Sequence, residues 1–141
     1  MAYERLSPTM LMAAVQSKIE EKTGIRCYDY VDLNTPSPFY FAELIRSTPA
    51  NSKTMFRDVF TVNIHCIAAP PEGDVISSEE VYELIDDLEE ALTEDIELPE
   101  PFELIMQTNN GIQNIKTDET REKHATLSYD FMVCYGFMCK I

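Results

Sequence analysis

The sequence predicts an α+β fold: a single mainly antiparallel sheet with two amphipathic helices packed on one face, in one domain spanning residues 1–141. Three observations carry this. In residues 124–135, Ala125, Leu127, Tyr129, Phe131, Val133 and Tyr135 occupy every second position, with His124, Thr126, Ser128 and Asp130 between them. A period of two, rich in aromatic and branched residues, is that of a strand with one buried and one wet face. In residues 79–92, Val81, Leu84, Ile85, Leu88 and Leu92 recur at spacings of three and four, the stripe of a helix lying on a core. The strand-like segments are joined by short polar stretches, which favours antiparallel pairing.

The elements follow in order. Ser7-Pro8 opens a first helix, the hydroxyl capping free amides and the proline suiting the first helical position. Leu11, Ala14, Val15, Lys18 and Ile19 share its apolar face, where the lysine stem lies flat and carries its charge to water. Gly24 ends it. Residues 25–31 form a first strand of muddled alternation, and 39–45 a second with apolar groups on both sides. The polar segment 47–54, with Pro49 and Asn51, reads as an exposed hairpin loop. Residues 56–68 form a clear strand, with Phe60, Val62, Ile64 and Cys66 pointing one way and Thr61, Asn63 and His65 the other. Ser77 and Glu80 make a capping box for the second helix. Residues 102–107 and 112–117 read as two short strands turned by Asn109-Asn110-Gly111, a strong hairpin signal. The charged segment 118–123 is a further turn into the closing strand.

Charge narrows the function classes. Net charge is -14 and the pI about 4.4, which repels phosphate backbones, so direct nucleic-acid and anionic-membrane binding are disfavoured. No apolar run approaches the roughly 18 residues of a membrane-spanning helix, and the amino-terminal residues lack a secretory pattern; a cytoplasmic protein is expected. Cys27, Cys66, Cys134 and Cys139 form no C-x-x-C pair and read as buried free thiols.

Chemistry-bearing motifs are weak. His65 and His124 lie on polar strand positions without metal-ligand spacing, and Cys66 points away from His65, so neither a metal nor another cofactor is expected. Glu72-Gly73-Asp74 is too sparse for a calcium loop. No glycine-rich phosphate loop or nucleophile elbow occurs. The acidic face of the second helix, with Glu83, Asp86, Asp87, Glu90 and Glu94, lies in a stretch free of lysine and arginine from Glu72 to Glu103. A solvated surface is the plain interpretation. Facing an aqueous channel, the same charge would keep DNA from adhering to the wall.

With this order of elements the chain resembles the tail-completion or tail-terminator proteins of long-tailed bacteriophages. The likeness rests on the strand Asp58-Val59-Phe60-Thr61-Val62-Asn63-Ile64-His65 with the helix of 79–92, on the segment about Asn109-Asn110-Gly111, and on the closing strand Lys123-His124-Ala125-Thr126-Leu127-Ser128-Tyr129-Asp130-Phe131. The resemblance implies a non-enzymatic virion protein of the tail and neck, assembled in the host cytoplasm. Its partners would be further copies of itself in a ring, usually of six, together with the tail-tube protein and the head-neck connectors. The ring would stop tube polymerisation and join tail to head. Two loops become candidate contacts: 47–55, with Ser47, Asn51, Lys53 and Met55, and 69–76, with Pro70, Glu72 and Asp74. A soluble acidic adaptor or DNA mimic blocking a basic partner is the alternative, and a small enzyme a more distant one.

Overall fold

Ser7 caps the first helix as its sequence position requires: its Oγ accepts from the Met10 amide at 3.2 Å, and Pro8 follows at the first helical position. In this computed structural model, which describes residues 4–31, 35–69, 79–117 and 122–137, helix α1 spans Pro8–Thr23. Gly24 closes it at φ 72°, a left-handed position that suits glycine, with its amide on the Glu20 carbonyl. Leu11, Val15, Lys18 and Ile19 are its buried residues. Lys18 goes deeper than a stem lying along the surface: its side chain is 8% exposed, and its Nζ stands 4.0 Å from Glu97 Oε1.

The strands are β1 (Cys27–Tyr28), β2 (Phe39–Pro49), β3 (Met55–Ile67), β4 (Glu103–Thr117) and β5 (Lys123–Phe137), and the second helix, α2, is Glu79–Ala91. They form one sheet in the order β1-β2-β3-β5-β4, antiparallel except for the β1–β2 pair. The closing strand is therefore an inner strand of the sheet, paired with β3 on one side and β4 on the other. Val81, Leu84, Ile85 and Leu88 of α2 join Leu11, Val15 and Ile19 of α1 in one core over the inward residues of β2, β3 and β5. Tyr40 fixes this layer, because its buried hydroxyl donates to the Leu84 carbonyl at 2.7 Å. That places both helices on one face.

Three sequence expectations are corrected. The first strand shrinks to two residues, with Cys27↔Tyr40 and Tyr28↔Phe41 in register. From Ala42 to Pro49 the outer edge of β2 therefore has no strand beside it among the described residues. The loop after β2 also starts later than expected. Ser47, Thr48 and Pro49 pair with Phe60, Val59 and Asp58, so Ser47 is a strand residue, as is Met55 at the start of β3.

The largest correction concerns Asn109-Asn110-Gly111, which reverses nothing. β4 runs straight through as one 15-residue strand, paired from Glu103↔Cys134 to Thr117↔Lys123. The tripeptide forms a bulge between Asn109↔Tyr129 and Gly111↔Ser128. Gly111 has φ 90°, and Asn109 Oδ1 accepts from its amide at 2.7 Å. The turn chemistry is present but is spent on one extra residue. β5 offers pairing partners on both sides of the bulge, and a reversal there would leave half of that long edge without its ladder.

Candidate functional site

The exposed side of α2 divides into two acidic rows, set by the helical repeat. Glu83, Asp87 and Glu90 form the row towards α1; Glu94, which the sequence placed on the same helix, lies just beyond its end, where Lys22 of α1 reaches it at 2.6 Å. That hydrogen bond and charge, with a further contribution from Lys18, hold the Glu94 carboxyl below the usual range, so the countercharge comes from another element. Tyr82, Asp86 and Glu89 form the row towards β4, where Glu89 Oε2 accepts from Asn109 Nδ2 at 3.0 Å. Glu83, Asp86, Asp87 and Glu90 are exposed, as the sequence expected.

Between this second row and β4 lies an open groove of about 620 Å³, bordered by Glu89, Leu92, Gln107, Asn109 and Tyr129. Its wall is held by Gln107. The side chain donates to the Leu92 and Glu94 carbonyls at 2.9 and 3.0 Å and accepts from the Ile96 amide at 3.0 Å, so it binds the end of α2 to the sheet. Tyr129 is 1% exposed, and its buried hydroxyl has no hydrogen-bond partner among the described residues.

Across the sheet, the β2–β3 hairpin ends in a tied turn. The Ser52 amide donates to the Met55 carbonyl at 3.0 Å, and Asn51 Oδ1 accepts from the Arg57 amide at 2.9 Å. Arg57 Nε donates back to the Ala50 carbonyl at 2.9 Å. Ile45 through Pro49 are all exposed, so the distal half of β2 projects with neither face covered. Asn51 and Lys53 sit at the tip, Lys53 exposed. The other candidate contacts, Pro70, Glu72 and Asp74, lie outside the described residues, as do the capping serine Ser77 and Cys139.

One cluster escaped the sequence. On the sheet face away from the helices, His65 Nε2 lies 2.8 Å from Glu43 Oε1 and His65 Nδ1 2.8 Å from His124 Nε2. The Thr126 hydroxyl is 3.1 Å from the same Nδ1, and Phe41 stacks on the His65 ring at 5.1 Å between centroids. A carboxylate only accepts, so in the neutral ring Nε2 carries the proton and Nδ1 accepts from His124 or Thr126. His65 pairs with Phe41 and Thr126, and His124 with Ile67, so the two histidines meet across a diagonal of the ladder. Only register could have revealed this; the signal available was that both occupy polar strand positions. The chain Glu43–His65–His124 joins three strands on a surface that also carries Asn63, Ser128 and Asp130.

Cys27, Cys66 and Cys134 are free and buried, and desolvation pushes the Cys27 thiol up to about 12, the opposite of an activated nucleophile. Cys66 shifts the same way for the same reason and faces away from His65. Among the described residues no three His, Cys, Asp or Glu side chains are placed to hold a metal, and no helix is long and apolar enough to cross a membrane.

Comparison with known proteins agrees with the architecture. A family model described as "Putative tail termination protein" matches residues 3–141. A chain of the solved structure "Virion of native gene transfer agent (GTA) particle" superposes with a TM-score of 0.66 and 17% identity, over 93% of this chain and 99% of that one. At that identity the likeness is one of fold. No curated protein matches this sequence.

Proposed function

This chain belongs to the phage tail terminator family, and from that premise we propose that it forms a ring on the head-facing end of the tail tube, stopping tube polymerisation and joining tail to head. The family match over nearly the whole chain carries the reading. The architecture supports it physically. A ring built from identical copies needs two different surfaces on opposite flanks, so that each copy meets one neighbour with each. Here the distal half of β2 and the α2–β4 trough stand on opposite sides of a four-strand span, and both are exposed.

The role is structural, not enzymatic. Its partners are further copies of itself, the tail-tube protein and the neck components that receive the tail, and it acts in the tail and neck of the virion. The row Glu83, Asp87 and Glu90 is the surface suited to face the lumen, where negative charge lets DNA pass without adhering. The test is genetic. Particles assembled without this protein should carry tails of uncontrolled length that fail to join heads. Tails of normal length on head-joined particles would remove the reading.

A further inference from the structure

The charge of this chain is segregated. Between Glu43 and Asp58 there is no acidic residue, and Arg46, Lys53 and Arg57 all lie in that stretch. From Glu72 to Glu103 there is no basic one. The first stretch is the distal β2–β3 hairpin, and the second contains α2. Of the three cations, Arg57 is committed to the Ala50 carbonyl, while Arg46 and Lys53 are exposed. Six copies at -14 each repel one another strongly unless opposite charges meet at their contacts.

The groove between α2 and β4 has the complementary character. Gln107 bonds Leu92, just past the end of α2, and Asn109 bonds Glu89 within it, so α2 and β4 run alongside each other in opposite senses. The same progression brings Ile112 and Ile115 to the level of the first turns of α2. Both pair with inward residues of β5, Leu127 and Ala125, and so share the helix-side face; yet they are 48% and 39% exposed because no helix reaches over them. The trough has an acidic wall of Glu89 and Glu90 and, at its floor, the Tyr129 hydroxyl, which has no partner among the described residues; in line with it along the two elements come Asp86, one helical turn before Glu90, and the exposed Ile112 and Ile115. A buried hydroxyl left unpaired in an isolated chain marks a place where a partner group or water is expected.

We infer that the β2–β3 hairpin of one copy docks in the α2–β4 trough of the next, with Arg46 and Lys53 against Asp86 and Glu89, Ile45 against Ile112 and Ile115, and a polar group of the neighbour reaching Tyr129. This rests on the ring reading above and specifies its interface. Hairpin and trough lie on opposite flanks, so one copy uses both at once and the contact propagates head to tail.

The test uses two full-length variants followed by sedimentation velocity beside the wild type, alone and with isolated tail tubes. The first is Arg46→Glu with Lys53→Glu, and the second Asp86→Lys with Glu89→Lys. Each alone sets like charges together, and self-association should weaken by about 100-fold or more. Mixed one to one they should assemble again, because each hairpin then meets an opposite trough; that recovery also shows both variants to be folded. Wild-type assembly with both variants unaffected, or with no recovery on mixing, overturns the interface and leaves the ring standing. A wild type that stays monomeric even on tail tubes overturns both. Tyr129→Phe sharpens the assignment: its melting temperature should be unchanged or raised, while assembly weakens by about 5-fold. Assembly at wild-type strength would remove the hydroxyl from the contact.

Discussion

At residues 50–54 the chain reverses; at 109–111, where the local sequence asks for a reversal more strongly, it runs straight on. Both stretches use an asparagine to hold a downstream amide. Asn51 Oδ1 accepts from Arg57 at 2.9 Å, and Asn109 Oδ1 from Gly111 at 2.7 Å. The difference lies in the partner strand. β3 folds back on β2 and ends that hairpin, whereas β5 continues past Asn109 and supplies partners as far as Thr117. Turn residues thus permit a reversal without compelling one. Where a long partner is waiting, the same positive backbone angle is absorbed as a bulge, and on an outer strand bulges also blunt the edge against unwanted pairing.

Several substitutions would break or sharpen this contrast. The largest effect is expected at Gln107, the residue that ties bulged β4 to the end of α2. Gln107→Ala leaves two carbonyls and one amide to find water, and the urea midpoint should fall by the equivalent of about 2 kcal/mol. A change within error would mean that α2 is held by its apolar face alone. Next comes Gly111→Ala. Nothing lies within 4 Å of the added carbon, so its whole cost is backbone strain at φ 90°, about 1–2 kcal/mol. Gly24→Ala, with equally open space at φ 72°, supplies the matched control at a helix end. If Gly111→Ala were neutral, the bulge would not depend on its glycine.

The asparagines should separate more finely. Asn51→Ala removes a side-chain acceptor that holds the only reversal between β2 and β3, and should cost about 1 kcal/mol. Asn109→Ala acts on a strand already held by β5, and about 0.5 kcal/mol is expected. The reverse order in thermal melts would show the bulge to be more dependent on its side-chain bond than the turn. Smallest of all is a difference in exchange: amides of β4 flanking the bulge should exchange faster than those of β3, which has a strand on either side. Equal protection would argue against an open β4 edge in solution.

The same contrast explains what was legible beforehand. Alternation in β3 and β5 and the apolar stripe of α2 are driven by burial on one side, a demand each segment states in its own residues. Phe60, Val62, Ile64, Tyr129 and Phe131 are buried where their spacing puts them. Capping at Ser7 and Gly24 is equally local. The candidate surfaces were legible as composition, an acidic run and a polar loop. Their boundaries were not: Ser47 proved a strand residue, and Glu94 found a countercharge in Lys22 of the other helix.

The sequence by itself determined which residues turn inward, and with them the class of fold and the charge each surface carries, because hydrophobic periodicity and net charge are sums over a segment's own side chains. Only the tertiary structure decided that Asn109-Asn110-Gly111 is a bulge, that Glu43, His65 and His124 form one chain, and that the Tyr129 hydroxyl is buried without a partner among the described residues. Each depends on which residue of one strand stands opposite which residue of another. A shift of one position would exchange the faces, and no single segment contains that information.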